Sequence, residues 1–234
     1  MTEFEIFETD IIDAVLEPYD WPFPHEHAAA IAEIWARETA RTPALFNGTV
    51  LIQHWGTREG RVFRAGYAPT EYRSFLGWTR LGNPPPLVRN GFAMAALQAS
   101  DGAFLLGEMG PHTANAGKIY FAAGTPDLED VVDGRVDLAG SVLREMTEET
   151  GLLPAEVTVE PRWTSVMGRA RIAFMRPVRI DLSAEEARAL MLARMQTLEE
   201  DELVDIHIVR GPDDLDEARM PPFQLAFLRH VFGV

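Results

Sequence analysis

The chain has 234 residues, no cysteine and a formal net charge of −15 at pH 7. That length suits one large domain or a core domain with an extension, and the lack of cysteine excludes disulfides, thiolate metal sites and a cysteine nucleophile. The acidity argues against DNA or RNA, whose phosphate backbone selects a basic stripe, and the acidic start with no apolar run of ~18 residues predicts a soluble, cytoplasmic protein with no membrane partner.

Residues 1–24 mix acidic and apolar side chains, and Pro18, Pro22 and Pro24 predict an irregular arm there. In 25–40, Ala28, Ile31, Ile34 and Trp35 fall on one helical face. Residues 48–67 read as a hairpin around TREG, and a short helix follows over about 69–78. The run NPPPL at 83–87 is the stiffest connector and the best boundary. It divides an N-terminal α+β extension, 1–87, from a domain over 88–234. In that domain GFAMAALQ and AFLLGEM predict a second hairpin, GPHTANAG a loop, and KIYFAAG a short buried strand. A helix is expected over 137–150, then strands at EVTVEPRW and ARIAFMRPVRI, a helix over 184–196, a strand at DELVDIHIVR and a helix over 222–232. This order suggests an α/β fold, a mixed sheet between helices.

The chemistry concentrates in Arg144-Glu145-Met146-Thr147-Glu148-Glu149-Thr150-Gly151-Leu152. At about 100° per residue, Glu145, Glu148 and Glu149 share an arc of roughly 100° on one helical turn. Like charges at that spacing repel, and a hard divalent cation, which takes several carboxylate oxygens, compensates them. Arg144 lies beyond Glu148 and can orient a carboxylate from behind. Gly151 is placed to end the helix. Twenty of the 21 basic residues are Arg and the other is Lys118, so arginine forks are the main protein groups left to grip a phosphate.

This string resembles the Nudix box, G-x5-E-x7-R-E-U-x-E-E-x-G-U, with U aliphatic. The second half matches in full. In the first half the opening Gly matches Gly124, but Val136 stands where the box has its first Glu. Val136 lies twelve positions after Gly124, where the pattern has six, so TPDLEDVVDGRV looks like an insertion of about six residues. That Glu supports the box Arg in the family, and Asp137 or Asp133 is expected to replace it. The resemblance covers roughly 88–210. LFNG at 45–48 and EYRSFLG at 71–77 are similar, more weakly, to the UDP-sugar-cleaving branch of the superfamily.

The resemblance implies a Nudix-type α/β/α sandwich and a Mg²⁺-dependent hydrolase, with Mn²⁺ as an alternative ion. Such an enzyme cleaves the diphosphate of a nucleoside diphosphate linked to another group X and releases a nucleoside monophosphate. Glu145, Glu148 and Glu149, with the carbonyl of Gly124, are the implied metal ligands. Glu148, Glu149, Arg144 and a later carboxylate are the implied catalytic set. That carboxylate is expected in LEEDEL, among Glu199, Glu200, Asp201 and Glu202, with Glu202 and Glu199 preferred. Arg169 and Arg171 are candidates for substrate phosphate, and Trp163, Tyr120 and Phe121 for stacking on a base. The six His show no ligand spacing. The expected partner is a small nucleotide. The extension either closes over the pocket or forms a homodimer surface. A non-catalytic nucleotide-sugar sensor is the alternative function, and a protein whose acidic helices are surface decoration is the remaining one.

Overall fold

The computed structural model describes residues 4–198 and 202–234. The chain opens with two strands, β1 (Glu5–Thr9) and β2 (Ile11–Leu16), where an irregular arm was expected. The prolines lie beyond β2. Pro22 precedes and Pro24 falls inside the first turn of the short α1 (Phe23–Glu26), where a missing N–H costs nothing. Then come α2 (Ala28–Arg41), the hairpin β3 (Thr49–Glu59) and β4 (Val62–Glu71), and α3 (Tyr72–Arg80).

Past the proline connector lie β5 (Asn90–Gln98), β6 (Phe104–Met109) and β7 (Ile119–Tyr120). The inserted segment forms its own small hairpin, β8 (Val131–Val132) and β9 (Arg135–Val136), before the box helix α4 (Leu138–Thr150). The chain continues through β10 (Val157–Val159), β11 (Trp163–Met167), β12 (Arg171–Ile180), α5 (Ala184–Met195), β13 (Leu203–Val209) and α6 (Pro222–Phe232).

These elements form a mixed α/β fold of two mixed sheets and six helices among the described residues. The larger sheet runs β1-β11-β12-β5-β6-β13, with β10 beside β12 and β7 beside β6. Only its β12–β5 pair is parallel among the registers described. The smaller sheet runs β3-β4-β2-β9-β8 and has one parallel pair, β2–β4. The sheets touch at Gln53 and Arg89, which exchange backbone hydrogen bonds of 2.9 and 2.8 Å. Segments from either side of position 87 enter both sheets, β1 in the larger and β8–β9 in the smaller.

One apolar core runs between the sheets and helices and includes Phe63, Met94, Leu106, Met146, Phe174 and Met191. A second, around Trp21, Phe23, Ile31 and Trp78, seats α2 and α3 on the smaller sheet. No helix among the described residues is long and apolar enough to cross a membrane.

Candidate functional site

The box helix is fixed at both ends by its own sequence. Asp137 caps the start, its Oδ1 accepting from the Gly140 N–H at 2.9 Å. Gly151 ends it at φ +72°, a left-handed conformation that glycine adopts without strain. Val142 and Met146 anchor the buried face, and Val136 lies in the same core. This leaves Glu145, Glu148 and Glu149 along one side.

The three carboxylates have different surroundings. Glu149 is 6% exposed. Its Oε1 accepts from the Ala123 N–H at 3.1 Å, while its Oε2 is buried with no hydrogen-bond partner among the described residues. Burial first, and then the Glu145 charge, push its pKa well above the usual carboxylate range. Glu145 packs against Gly124 so closely that a Cβ there would overlap its carboxylate. Burial raises it to about 7 against the opposing pull of Arg144, with Glu148, Asp130 and Glu202 adding to the rise. Glu148 stands more exposed and accepts from Arg144 Nη1 at 2.9 Å.

Arg144 is the hub. Its Nη2 lies 2.8 Å from Glu145 Oε1 and donates to Asp130 Oδ1 at 3.0 Å. Burial draws its pKa down, but these carboxylates overcome that and raise it. Asp130, 4% exposed, thus partners the box arginine, rather than Asp137 or Asp133. Asp137 is committed to the helix cap, and Asp133 sits at φ +50° in the β8–β9 turn. The sequence did carry a usable signal here: Asp133-Gly134 between Val131-Val132 and Arg135-Val136 marks a tight hairpin, and a hairpin brings Asp130 back towards the helix start.

A cleft opens beside the box helix. One lobe, about 570 Å³, is lined by Glu145, Gly124, Tyr120, Glu202, His112 and Tyr72. A second lobe, about 550 Å³, shares Tyr120, Gly124 and Tyr72 and extends to Arg171, Phe92 and Phe223. The structure therefore brings Glu145, Gly124, Tyr120, Arg171 and Glu202 to one cleft, with Glu149 below its floor. Tyr120, 8% exposed, accepts from Asn115 Nδ2 at 3.1 Å. Burial, reinforced by the Glu149 charge, raises its pKa. Arg171 places its guanidinium 5.5 Å from the Phe223 ring centre. Glu202 is exposed at the rim, and Glu199, Glu200 and Asp201 lie outside the described residues.

Three other sequence candidates stand apart from these lobes. Trp163 is 4% exposed in β11, with the Arg176 guanidinium 4.4 Å over its ring, so its aromatic surface is spent inside the fold. Phe121 is fully buried among Phe104 and Phe227. Arg169 donates to the Asn83 carbonyl at 3.1 Å and braces the proline connector. Sequence reasoning missed Tyr72, Phe75, Trp78 and Arg80 of α3, which line the second lobe. It also missed Lys118, which lines that lobe and donates to the Ala218 carbonyl at 3.0 Å. Tyr72 and Phe75 fall within EYRSFLG, but nothing in the local pattern of any of these residues marks it as lining a cleft.

Among the described residues, one group of three metal-capable side chains has ligand atoms all within 4.8 Å of one another: Glu108, Asp205 and His207. The box glutamates are not gathered that tightly, because Arg144 lies against Glu145 and Glu148 while Glu149 turns to Ala123. Their donor set nevertheless suits a hard cation. It has an unpartnered buried oxygen on Glu149, a neighbouring carboxylate raised to about 7, and a glycine whose missing side chain makes room for that carboxylate.

No family model matches the chain, and no curated protein does. Solved structures to which it is similar include Nudix hydrolases, the family whose box the sequence resembles. One is a Nudix hydrolase from M. Smegmatis, RenU, at 14% identity over 60% of this chain and 81% of that one, with TM-score 0.34. Another is the MutT protein from Methanosarcina mazei Go1, at 15% identity over 61% of this chain and 93% of that one, with TM-score 0.36.

Proposed function

We propose that the chain is a Mg²⁺-dependent hydrolase of nucleoside diphosphates linked to a second group X, releasing a nucleoside monophosphate. Nucleotide sugars are the leading substrate class. Residues 88–234 form the catalytic domain in this reading, and 1–87 an extension that walls its cleft. The observation that carries the proposal is the buried Glu149 carboxylate, with one oxygen unpartnered beneath a cleft that also holds Glu145. A buried carboxylate left in this state calls for a proton or a cation, and the Arg-Glu-x-x-Glu-Glu pattern makes the cation the better answer.

Glu145, Glu148 and Glu149, with the Gly124 carbonyl, would hold the ion. Bound there, Mg²⁺ supplies positive charge against the diphosphate and makes water more acidic. Arg144 holds Glu145 and Glu148 in place from behind. Glu202, at the rim of the same lobe, accepts the proton of the attacking water. Arg171 binds a phosphate oxygen, and Tyr120 forms the wall on which the nucleotide rests. The second lobe, with Phe92 and Phe223, takes the other end of the substrate.

The test is a panel of nucleotide sugars, ADP-ribose, NADH and CoA compounds with Mg²⁺ or Mn²⁺, with both products identified by chromatography. Metal-dependent release of a nucleoside monophosphate is expected from at least one member. No turnover across the panel overturns the enzyme reading, and tight binding without turnover would establish a sensor instead.

A further inference from the structure

We infer that Asp130 is a positioning residue for Arg144, and that the smaller sheet of the N-terminal segment is the frame that holds it there. This rests on the proposed hydrolase reading for its kinetic consequence, but not for its structural one. Val136, where the box pattern has Glu, is 5% exposed in the core and offers no charge. The guanidinium instead meets Asp130, from the inserted segment, at 3.0 Å.

Both carboxylate oxygens and the carbonyl of Asp130 work to fix that meeting. Its Oδ2 accepts from the Asp127 N–H at 3.1 Å. Its carbonyl accepts from the N–H of Asp137, the capping residue of α4, at 2.7 Å. One buried residue therefore ties the start of the box helix to the box arginine one turn and more along it. A part-buried, charge-assisted bond of this kind fixes direction as well as distance.

The insertion does not hold this geometry alone. Leu51 of β3 donates to the Pro126 carbonyl at 2.7 Å, and Leu16 at the end of β2 donates to the Gly134 carbonyl at 2.9 Å. Val15 pairs with Arg135, whose guanidinium forms an ion pair with Asp13 of β2. Strands from residues 1–87 thus hold both ends of the segment carrying Asp130. The extension does more than wall the cleft: it sets the orientation of the arginine against which Glu145 and Glu148 rest.

The test is a double-mutant cycle with Asp130→Asn and Arg144→Lys, alone and combined, with Asp130→Glu as the conservative rescue. If Asp130 acts through Arg144, Asp130→Asn lowers kcat about 10- to 100-fold, as loss of an outer partner does. KM should move less than threefold, Asp130→Glu should recover part of the loss, and the double variant should match Arg144→Lys within twofold. Effects that multiply, or an Asp130→Asn variant within twofold of wild type in kcat, overturn the inference. Mn²⁺ binding measured by calorimetry reads the same cycle without turnover, with weaker binding in Asp130→Asn and no further loss in the double variant. If the wild type cleaves nothing yet binds Mn²⁺ and follows that cycle, the hydrolase reading fails and this one stands. If the wild type binds no Mn²⁺, both fall. A melting temperature for each variant separates loss of positioning from loss of fold.

Discussion

Two clusters of carboxylates lie in this molecule, and they differ in what surrounds them. Glu108, Asp205 and His207 form the tighter one, on the paired strands β6 and β13. Glu108 Oε2 lies 2.6 Å from His207 Nε2 and accepts from Arg219 Nη1 at 3.0 Å. Asp205 Oδ1 accepts from Arg188 Nη2 at 2.7 Å and from the Ile206 N–H at 2.7 Å. The box carboxylates are looser but less compensated. Arg144 serves two of them, and Glu149 is left with one backbone N–H and one unpartnered oxygen. If the box carboxylates hold the cation as proposed, closeness of acids is a poor guide to a cation site. Unanswered charge beneath an open cleft is a better one, since a buried carboxylate is costly until something neutralises it.

The largest test of that contrast is Glu149→Gln. Amide replaces carboxylate at nearly constant shape, so kcat should fall roughly 10³-fold if several kcal/mol of charge stabilisation depend on the ion. The metal-free protein should meanwhile keep or gain stability, because the buried charge is gone. A variant that keeps wild-type kcat at saturating Mg²⁺ would remove the box from the chemistry.

Next comes pH. Glu145 is raised to about 7 in the folded protein, chiefly by burial. Below the ordinary carboxylate pKa both folded and unfolded forms are protonated, and there is no penalty. As pH rises, the unfolded chain ionises first while the folded chain keeps its proton, so the folded state binds more protons and loses stability as pH climbs to about 7. For Glu145 alone the loss is up to about 3 kcal/mol. Glu149 shifts the same way, chiefly by burial, and adds to the decline. Chemical denaturation of metal-free protein from pH 5 to 8 should show this downward slope, and saturating Mg²⁺ should flatten it. A flat metal-free profile would mean that these carboxylates are better solvated than their burial implies.

Gly124→Ala probes the cradle. The added methyl overlaps the Glu145 carboxylate and must displace it. A 10- to 100-fold fall in kcat/KM is expected, the scale on which a misplaced supporting group acts. An unchanged value at all Mg²⁺ concentrations would show that Glu145 has room to move and that its place beside Gly124 is incidental.

Much of this site was legible because helical spacing is rigid. Three glutamates on one turn and a terminal Gly151 follow from local chemistry, and the structure keeps the stop where the pattern put it, while the capping role of Asp137 emerged only in the structure. The helices at 184–195 and 222–232 were legible for the same reason, and the strands after the box were legible from their apolar, β-branched runs. Partnership across the fold was harder to read. Which acid meets Arg144 depends on how a twelve-residue loop folds back, and the expectation of Asp137 or Asp133 passed over Asp130, the residue the structure places there. β1 was missed because its strand character comes from the β11 edge it joins, in register from Glu5 opposite Met167 to Thr9 opposite Trp163. Trp163 and Arg169, read from the sequence as substrate candidates, lie outside both lobes for a related reason. A large aromatic or a guanidinium looks alike in sequence whether it faces a ligand or a neighbouring strand.

The smallest expected effect is at the other cluster, and it is what makes the contrast sharp. Glu108→Gln keeps the size of the side chain and an oxygen for Arg219 and His207, so only part-exposed ion pairing is lost. Such pairs contribute about 1 kcal/mol or less, and kcat for the hydrolase should stay within twofold of wild type. His207→Ala should behave likewise, and neither variant should change the Mg²⁺ concentration at half-maximal rate. If either shifts that concentration tenfold, His207 and its neighbours hold an ion that the reaction uses, and compensation by Arg188 and Arg219 has not silenced the site. If neither does, the two clusters separate cleanly: the one with tighter geometry is an internal salt-bridge network, and the one with unanswered charge is where the cation binds.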